Sequence, residues 1–273
     1  MIIRNHLRNF IAMIQHNNTN NPSRYSYWFL EHNQQQYRML KRLIQFLFPS
    51  YCVWCKTPWP ALCFSCLKTL QSHPEICPCC HKQSSDYHIC SSCKVQQLPY
   101  DGIVITFVYT GLIKKLILAL KYYHKYTIAW YLAQKLATSL EYNRHIGPVL
   151  HHQEVVITYV PSHWRRKRIT KGYNQSELLA KALATKLDLP FQHIVRKSRY
   201  TKSQTQLDRN QRRSNLQWSY ALQDNIDLRK TKMVIIVDDL ATTGSTIQQV
   251  AQCIKSAYPH IHIRWAVLAR SNS

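Results

Sequence analysis

The sequence predicts an α/β fold, a parallel sheet flanked by helices and preceded by a small cysteine-rich module. Three observations predict it. From Tyr100 onward, apolar runs of strand length alternate with segments of helical periodicity, the pattern of a parallel sheet with crossover helices. Within that region, residues 233–237 are an uninterrupted apolar run, as expected for a strand buried on both faces. Ahead of it, nine of the ten cysteines fall between Cys52 and Cys93, most of them in C-x-x-C pairs.

The elements follow in chain order. Residues 1–38 are polar, rich in Asn, Gln and Arg, with no clean period, and are expected to be an extension. Residues 39–48 space their apolar positions as an amphipathic helix that stops at Pro49. This helix and the cysteines make up an expected unit of residues 39–98. The remaining 99–273 form the α/β domain. There, 103–109 reads as a strand, 112–121 and 128–140 as helices, and 155–160 as a strand ended by Pro161. Residues 175–187 read as a helix with Leu178, Leu179, Leu183 and Leu187 on adjoining faces, and 194–196 as a short strand. The buried strand 233–237, a helix over 246–256 and a closing strand over 261–268 complete the domain.

Thirty-six Lys and Arg against thirteen Asp and Glu give a formal net charge of +23, which attracts nucleic acid or phosphate-rich small molecules at long range. Hydrophobic residues make up 45%, enough for a packed core, so wholesale disorder is excluded. No apolar run approaches the ~18 residues of a transmembrane helix. Residues 1–20 lack the uninterrupted apolar stretch and small-residue cleavage site of a signal peptide. Together with metal-type cysteine spacing, this points to a reducing, cytoplasmic setting.

The cysteines are spaced as Cys52-x2-Cys55-x7-Cys63-x2-Cys66 and Cys77-x2-Cys80-x9-Cys90-x2-Cys93. Each C-x-x-C turn aims two thiolates at one ion, and two turns close a tetrahedral site. Eight sulfurs therefore suit two structural Zn2+ ions, paired sequentially as two ribbons or in a crossed arrangement. Four sulfurs per ion leave no open position for water, so metal catalysis is not expected there. Cys79 is a spare thiol beside a ligand, and Cys253 sits in a helical pattern as a core residue.

The most informative stretch is residues 234–246. Four apolar residues end in Asp238 and Asp239, then a run of small and hydroxyl residues (Ala241, Thr242, Thr243, Gly244, Ser245 and Thr246) leads into a helix. Open parallel sheets bind ligands at such carboxyl ends. Loop N–H groups, the helix N-terminus and the hydroxyls suit a phosphate monoester. Two carboxylates beside a phosphate repel it unless they serve another group, and a ribose cis-diol is such a group. The Walker and dinucleotide glycine patterns are both absent. The segment resembles the phosphoribosyl-diphosphate (PRPP) signature of type I phosphoribosyltransferases. The resemblance implies that Asp238 and Asp239 hold the ribose hydroxyls and that residues 241–246 cradle the 5-phosphate.

Between these elements lie two basic segments. Residues 161–175 carry Arg165, Arg166, Lys167, Arg168 and Lys171 with no acid, and residues 196–213 carry seven Lys and Arg against Asp208. A diphosphate needs such cations. Val160-Pro161, Arg165, Arg166, Arg168 and Lys171-Gly172-Tyr173-Asn174-Gln175 resemble one block of the ComF/GntX family. Arg199, Thr201, Gln204, Arg212 and Asn215 resemble its next block. Residues 121–124, the ending Leu268-Ala269-Arg270 and the double cysteine module are similar to further family features. The likeness spans about residues 40–270. It implies a type I phosphoribosyltransferase-like domain behind a double zinc ribbon, with Arg165, Arg166, Arg168 and Lys171 in a pyrophosphate loop. Members usually begin near the position of Met39, so residues 1–38 are expected to be an upstream extension or to lie outside the native product. Tyr159 stands in a run that in the family is usually Val-Pro-Val-Pro, and it is expected to crowd the start of that loop.

What the resemblance implies about function is PRPP binding with Mg2+ and a part in DNA uptake or processing during natural transformation, alongside other DNA-uptake proteins. Trp164, Tyr173 and Tyr200 are candidate stacking rings for single-stranded DNA. Two other functions fit the same residues: a metabolic transfer of ribose-5-phosphate to an amine or base, and a PRPP-sensing regulator without chemistry. In the transfer reaction, Asp238 and Asp239 are the candidate catalytic groups.

Overall fold

The computed structural model describes residues 51–58, 62–96, 98–122, 126–150, 154–161, 174–197 and 220–271. The extension 1–38 and the amphipathic segment 39–48 lie outside the described residues.

Apolar alternation builds a four-stranded sheet. Its strands are β1 (Gly102–Val108), β2 (Val155–Tyr159), β5 (Met233–Ala241) and β6 (His262–Arg270), in spatial order β1-β6-β5-β2 with every pair parallel. Parallel neighbours need crossovers, which helices α2 (Gly111–Tyr122), α3 (Tyr126–Glu141), α4 (Gln175–Leu187) and α5 (Ser245–Ala257) supply. Because helices cover both faces, the central strand β5 is apolar on both. Met233, Ile235 and Val237 pack toward α2, α3 and α4, whereas Val234 and Ile236 pack toward Ile247, Val250 and Ile254 of α5. A second, antiparallel pair, β3 (Val195–Lys197) with β4 (Tyr220–Leu222), closes against α5.

The strands and helices expected over residues 103–268 all occur, with two additions. β4 carries no sequence signal of its own, since three residues are too few to set a period. β5 runs on through the acidic pair, with Asp238 opposite Val267 and Ala241 opposite Arg270, so both carboxylates sit inside the ladder and not beyond it. Asp is a poor strand former, and the partner strand overrides that preference.

The cysteine segment folds as two small metal-type modules joined to the sheet. The first holds helix α1 (Phe64–Lys68) and buries Cys52 and Leu62 in the same cluster as Leu116, Ile128 and Leu132 of α2 and α3. The link between modules runs antiparallel beside β1: His73 N donates to Thr106 O at 3.1 Å and Val108 N to Gln71 O at 3.0 Å. That pairing covers a sheet edge otherwise open to other chains. In the second module Asp86 and Tyr87 take left-handed backbone (φ 56° and 55°). The turn is held because Asp86 Oδ1 accepts from Arg144 N at 3.1 Å, while Asn143 Nδ2 donates to Asp86 O at 3.0 Å.

Candidate functional site

At the carboxyl ends of β2 and β5, two helix N-termini converge. Asn174 caps α4: its Oδ1 accepts from Ser176 N at 3.0 Å, and its Nδ2 donates to Val160 O at 3.0 Å. The cap satisfies an orphan helix donor and ties the start of α4 to the end of β2. Ser176, thereby fixed in the first turn, donates its hydroxyl to Asp238 Oδ1 at 2.8 Å. The same oxygen accepts from Asp239 N at 2.9 Å.

Asp239 is buried (9% exposed) and Asp238 partly so. Burial and the neighbouring Asp239 charge push the Asp238 carboxyl up to about 8, despite the two hydrogen bonds that favour its ionised form. Near neutrality Asp238 therefore holds its proton much of the time. A buried acid pair in this state is poised to take up hydroxyl donors, which would stabilise the ionised form.

Beyond Ala241 the chain turns into α5. Gly244 has φ 76° and ends the loop as the helix N-cap without a side-chain cap bond. Thr243 Oγ1 lies 3.1 Å from Ser245 Oγ, and Thr242, Thr243, Ser245 and Thr246 are exposed. Exposed hydroxyls around an uncapped helix start form a cradle that an anion fits. A Cβ at Gly244 would find its nearest neighbours, Trp265 and Tyr100 among them, no closer than 3.8 Å, so space is not the constraint. The left-handed φ is. Gly244→Ala is expected to cost about 1–2 kcal/mol and to lower Tm by about 2–8 °C. A melting curve that coincides with wild type would show that the turn tolerates a side chain.

Each predicted metal set comes together. The sulfurs of Cys52, Cys55, Cys63 and Cys66 lie within 4.8 Å of one another, as do those of Cys77, Cys80, Cys90 and Cys93. The pairing is thus sequential. A tetrahedron with Zn–S bonds of about 2.3 Å sets sulfurs about 3.8 Å apart, and the Cys55–Cys63 and Cys80–Cys90 separations are 3.5 and 3.7 Å. Backbone N–H groups of Cys63 and Cys90 point at the sulfurs of Cys52 and Cys77, each at 3.4 Å. Burial acts to raise Cys77, yet such N–H donors draw it down to about 6. Thr57 hydrogen bonds draw Cys55 to about 6. Thiolate character thus falls on Cys55 and Cys77, whereas burial and the neighbouring sulfurs push Cys66 up to about 12. Cys79 joins neither set, and burial pushes it up to about 11.

Other expected residues divide plainly. Arg165, Arg166, Arg168, Lys171, Trp164, Tyr173, Tyr200 and the block at 199–215 lie outside the described residues. Tyr159 is buried, stacked on Phe191 with centroids 6.0 Å apart, and its hydroxyl lies 3.0 Å from His193 Nδ1. Ser176 is the residue that sequence reasoning missed. Its signal is the Asn-x-x-Glu spacing of Asn174 and Glu177, which marks a capped helix start but not what the second residue faces.

The chain is similar to several known proteins. A family model described as "Phosphoribosyl transferase domain" matches residues 174–273, beginning at the Asn174 cap. Competence protein F of Haemophilus influenzae is 30% identical over 196 residues, covering 71% of this chain and 84% of its own length. DNA utilization protein YhgH of Escherichia coli K12 is 28% identical over 213 residues, covering 76% and 91%. A solved orotate phosphoribosyltransferase from Aeropyrum pernix is similar at 16% identity and a TM-score of 0.30, over 57% of this chain and 76% of that one.

Proposed function

Given that this chain belongs to the competence protein F (ComF) family, with a phosphoribosyltransferase domain, we propose that it binds PRPP and acts on incoming DNA during natural transformation. The observation that carries the PRPP reading is the convergence of Asp238, Asp239 and Ser176 with the Gly244 loop at one edge of the sheet. Ribose hydroxyls donate to the acidic pair, and the 5-phosphate sits on the loop amides. The diphosphate needs cations, and the basic residues of the segment 162–173 are the ones the sequence offers. Mg2+, a hard cation that takes oxygen ligands, accompanies the diphosphate and offsets its charge.

The test is a calorimetric titration of PRPP with Mg2+ into the zinc-loaded chain, run in two buffers of different ionisation enthalpy. Saturable binding with proton release near pH 7 is expected, because accepting hydroxyls ionises Asp238. No binding at millimolar PRPP sinks the reading. Pyrophosphate release on adding an amine or base would establish transfer, the metabolic alternative. Binding without release under any acceptor would favour sensing.

Engagement of single-stranded DNA is supported by the first cysteine module. Trp54 and Phe64 are 41% and 63% exposed, each between two cysteines of the same tetrad. Lys115 stands 4.5 Å over Trp54 and Lys68 4.5 Å over Phe64. Residues 51–74 contain no acidic side chain. Rings interleaved with cations make a sequence-tolerant stacking surface. Trp54→Ala and Phe64→Ala are each expected to weaken oligo-dT binding by about 1–3 kcal/mol in fluorescence anisotropy. A double variant that binds as wild type would remove this module from the DNA contact. The thiol chemistry fits action in the cytoplasm, and among the described residues no helix is long and apolar enough to cross a membrane.

A further inference from the structure

The carboxyl edge of the sheet has a second half. A cavity of about 350 Å3 opens where β1 and β6 end, under the second cysteine module. Its walls include His73, Ile76, His81, Val108, Tyr109 and Arg270. Val108 and Arg270 are the last residues of their strands, and Arg270 is the register partner of Ala241, where the phosphate loop begins.

The chemistry of the walls is one-sided. A carbonyl only accepts, so the 2.6 Å contact of His73 Nδ1 with Pro74 O puts a proton on Nδ1. A guanidinium only donates, so His81 Nε2 faces Arg270 as an acceptor. Arg270 is the one Lys or Arg among those six wall residues, which include no Asp or Glu. Arg270 is partly buried and donates to Pro78 O as well. Those two contacts leave further N–H donors of its fork, and no carboxylate forms an ion pair with it among the described residues. The groups of opposite tendency near it are Tyr100 and the thiols of Cys79 and Cys77. A planar cation of this kind suits a phosphate in bidentate contact. The ring of Tyr109 lines the cavity together with apolar Ile76 and Val108, a lining that suits a planar, weakly polar body.

We propose that this cavity binds a nucleoside monophosphate group, its phosphate on Arg270 and its base against Tyr109, Ile76 and Val108. The group is either a free nucleotide or the 5′-phosphorylated end of a strand. The proposal goes beyond PRPP binding and does not require it.

The experiment titrates the full-length, zinc-loaded chain with dAMP, with deoxyadenosine, and with a 5′-phosphorylated oligonucleotide and its dephosphorylated twin. Saturating ribose 5-phosphate is present throughout, to occupy the loop at 241–246. The phosphorylated member of one pair is expected to bind at least roughly tenfold tighter than its partner. Preference within the dAMP pair identifies a free nucleotide, and preference within the oligonucleotide pair alone identifies a strand end. Arg270→Met is expected to erase the preference. Val108→Phe, which fills the cavity without touching charge, is expected to weaken binding by a similar factor should Arg270→Met fail to fold. No phosphate preference in either pair, loss of binding under ribose 5-phosphate, or binding to Val108→Phe equal to wild type would each overturn the proposal. Failure of PRPP to bind in a separate titration leaves these outcomes unaffected, so the two readings fail independently.

Discussion

Replacing both Asp238 and Asp239 by Asn is expected to abolish PRPP binding while making the protein more stable. The first effect follows from charge-assisted hydrogen bonds, each contributing about 1.5–3 kcal/mol. Losing two of them weakens binding by a factor on the order of a hundred or more. The second follows from the raised Asp238 carboxyl, which titrates at about 8 against 3.8 for the free side chain. Between those values the native state keeps a proton that the unfolded chain has lost, so stability falls as pH rises through that window. Above about pH 8 the full penalty of holding two buried charges together is present. An amide pair does not incur it. At pH 8.5 the variant is expected to gain about 1–2 kcal/mol, discounted because Asp238 is only partly buried, and at pH 4 the gain should vanish. Thermal melts across pH 4–9 read the stability, and calorimetry with PRPP and Mg2+ reads the binding. A variant that still binds PRPP as wild type does would remove the acidic pair from the site. A pH-independent stability difference would remove the buried-charge explanation and leave the binding role intact.

The second large effect is expected from the metals. Two tetrads imply two Zn2+ ions per chain, measurable by elemental analysis. Chelation is expected to lower Tm by more than ~10 °C, since a structural site of this kind contributes on the order of 10 kcal/mol to its own module. The two modules should fail differently. Cys52 and Leu62 lie in one apolar cluster with α2 and α3, so Cys52→Ser should expose that face and cause aggregation or global destabilisation. Cys77 lies in the module whose His81 and Pro78 contact Arg270, beside the end of the sheet that carries the loop at 241–246. Cys77→Ser should therefore disturb ligand binding at a smaller cost in Tm. A chain that melts at the same temperature with and without zinc would show that the sulfurs pack as ordinary core thiols.

Much of this was legible from residues alone because local chemistry dictated it. The spacing of eight cysteines determined two four-sulfur sets, and C-x-x-C turns can close around an ion whatever the rest of the chain does. The run at 233–237 determined a two-sided strand, and alternation of strand and helix patterns determined a parallel sheet. Asp238, Asp239 and the residues through Thr246 determined a candidate ligand loop, because that chemistry is contiguous in sequence.

Tertiary structure decided what depends on partners distant in the chain. Whether the zinc sets pair sequentially or cross was settled only when the modules folded. Ser176 meets Asp238 across 62 positions, and no local pattern announces a hydroxyl aimed at a distant carboxylate. Asp238 enters the sheet because Val267 lies opposite it, and the burial that raises its carboxyl follows from that pairing. Arg270 ends beside Ala241 for the same reason: β6 inserts between β1 and β5, carrying its last residue to the edge of the sheet that holds the candidate site. Sequence specifies which groups are present and which neighbours they have along the chain. Long-range strand order decides which of them share a site.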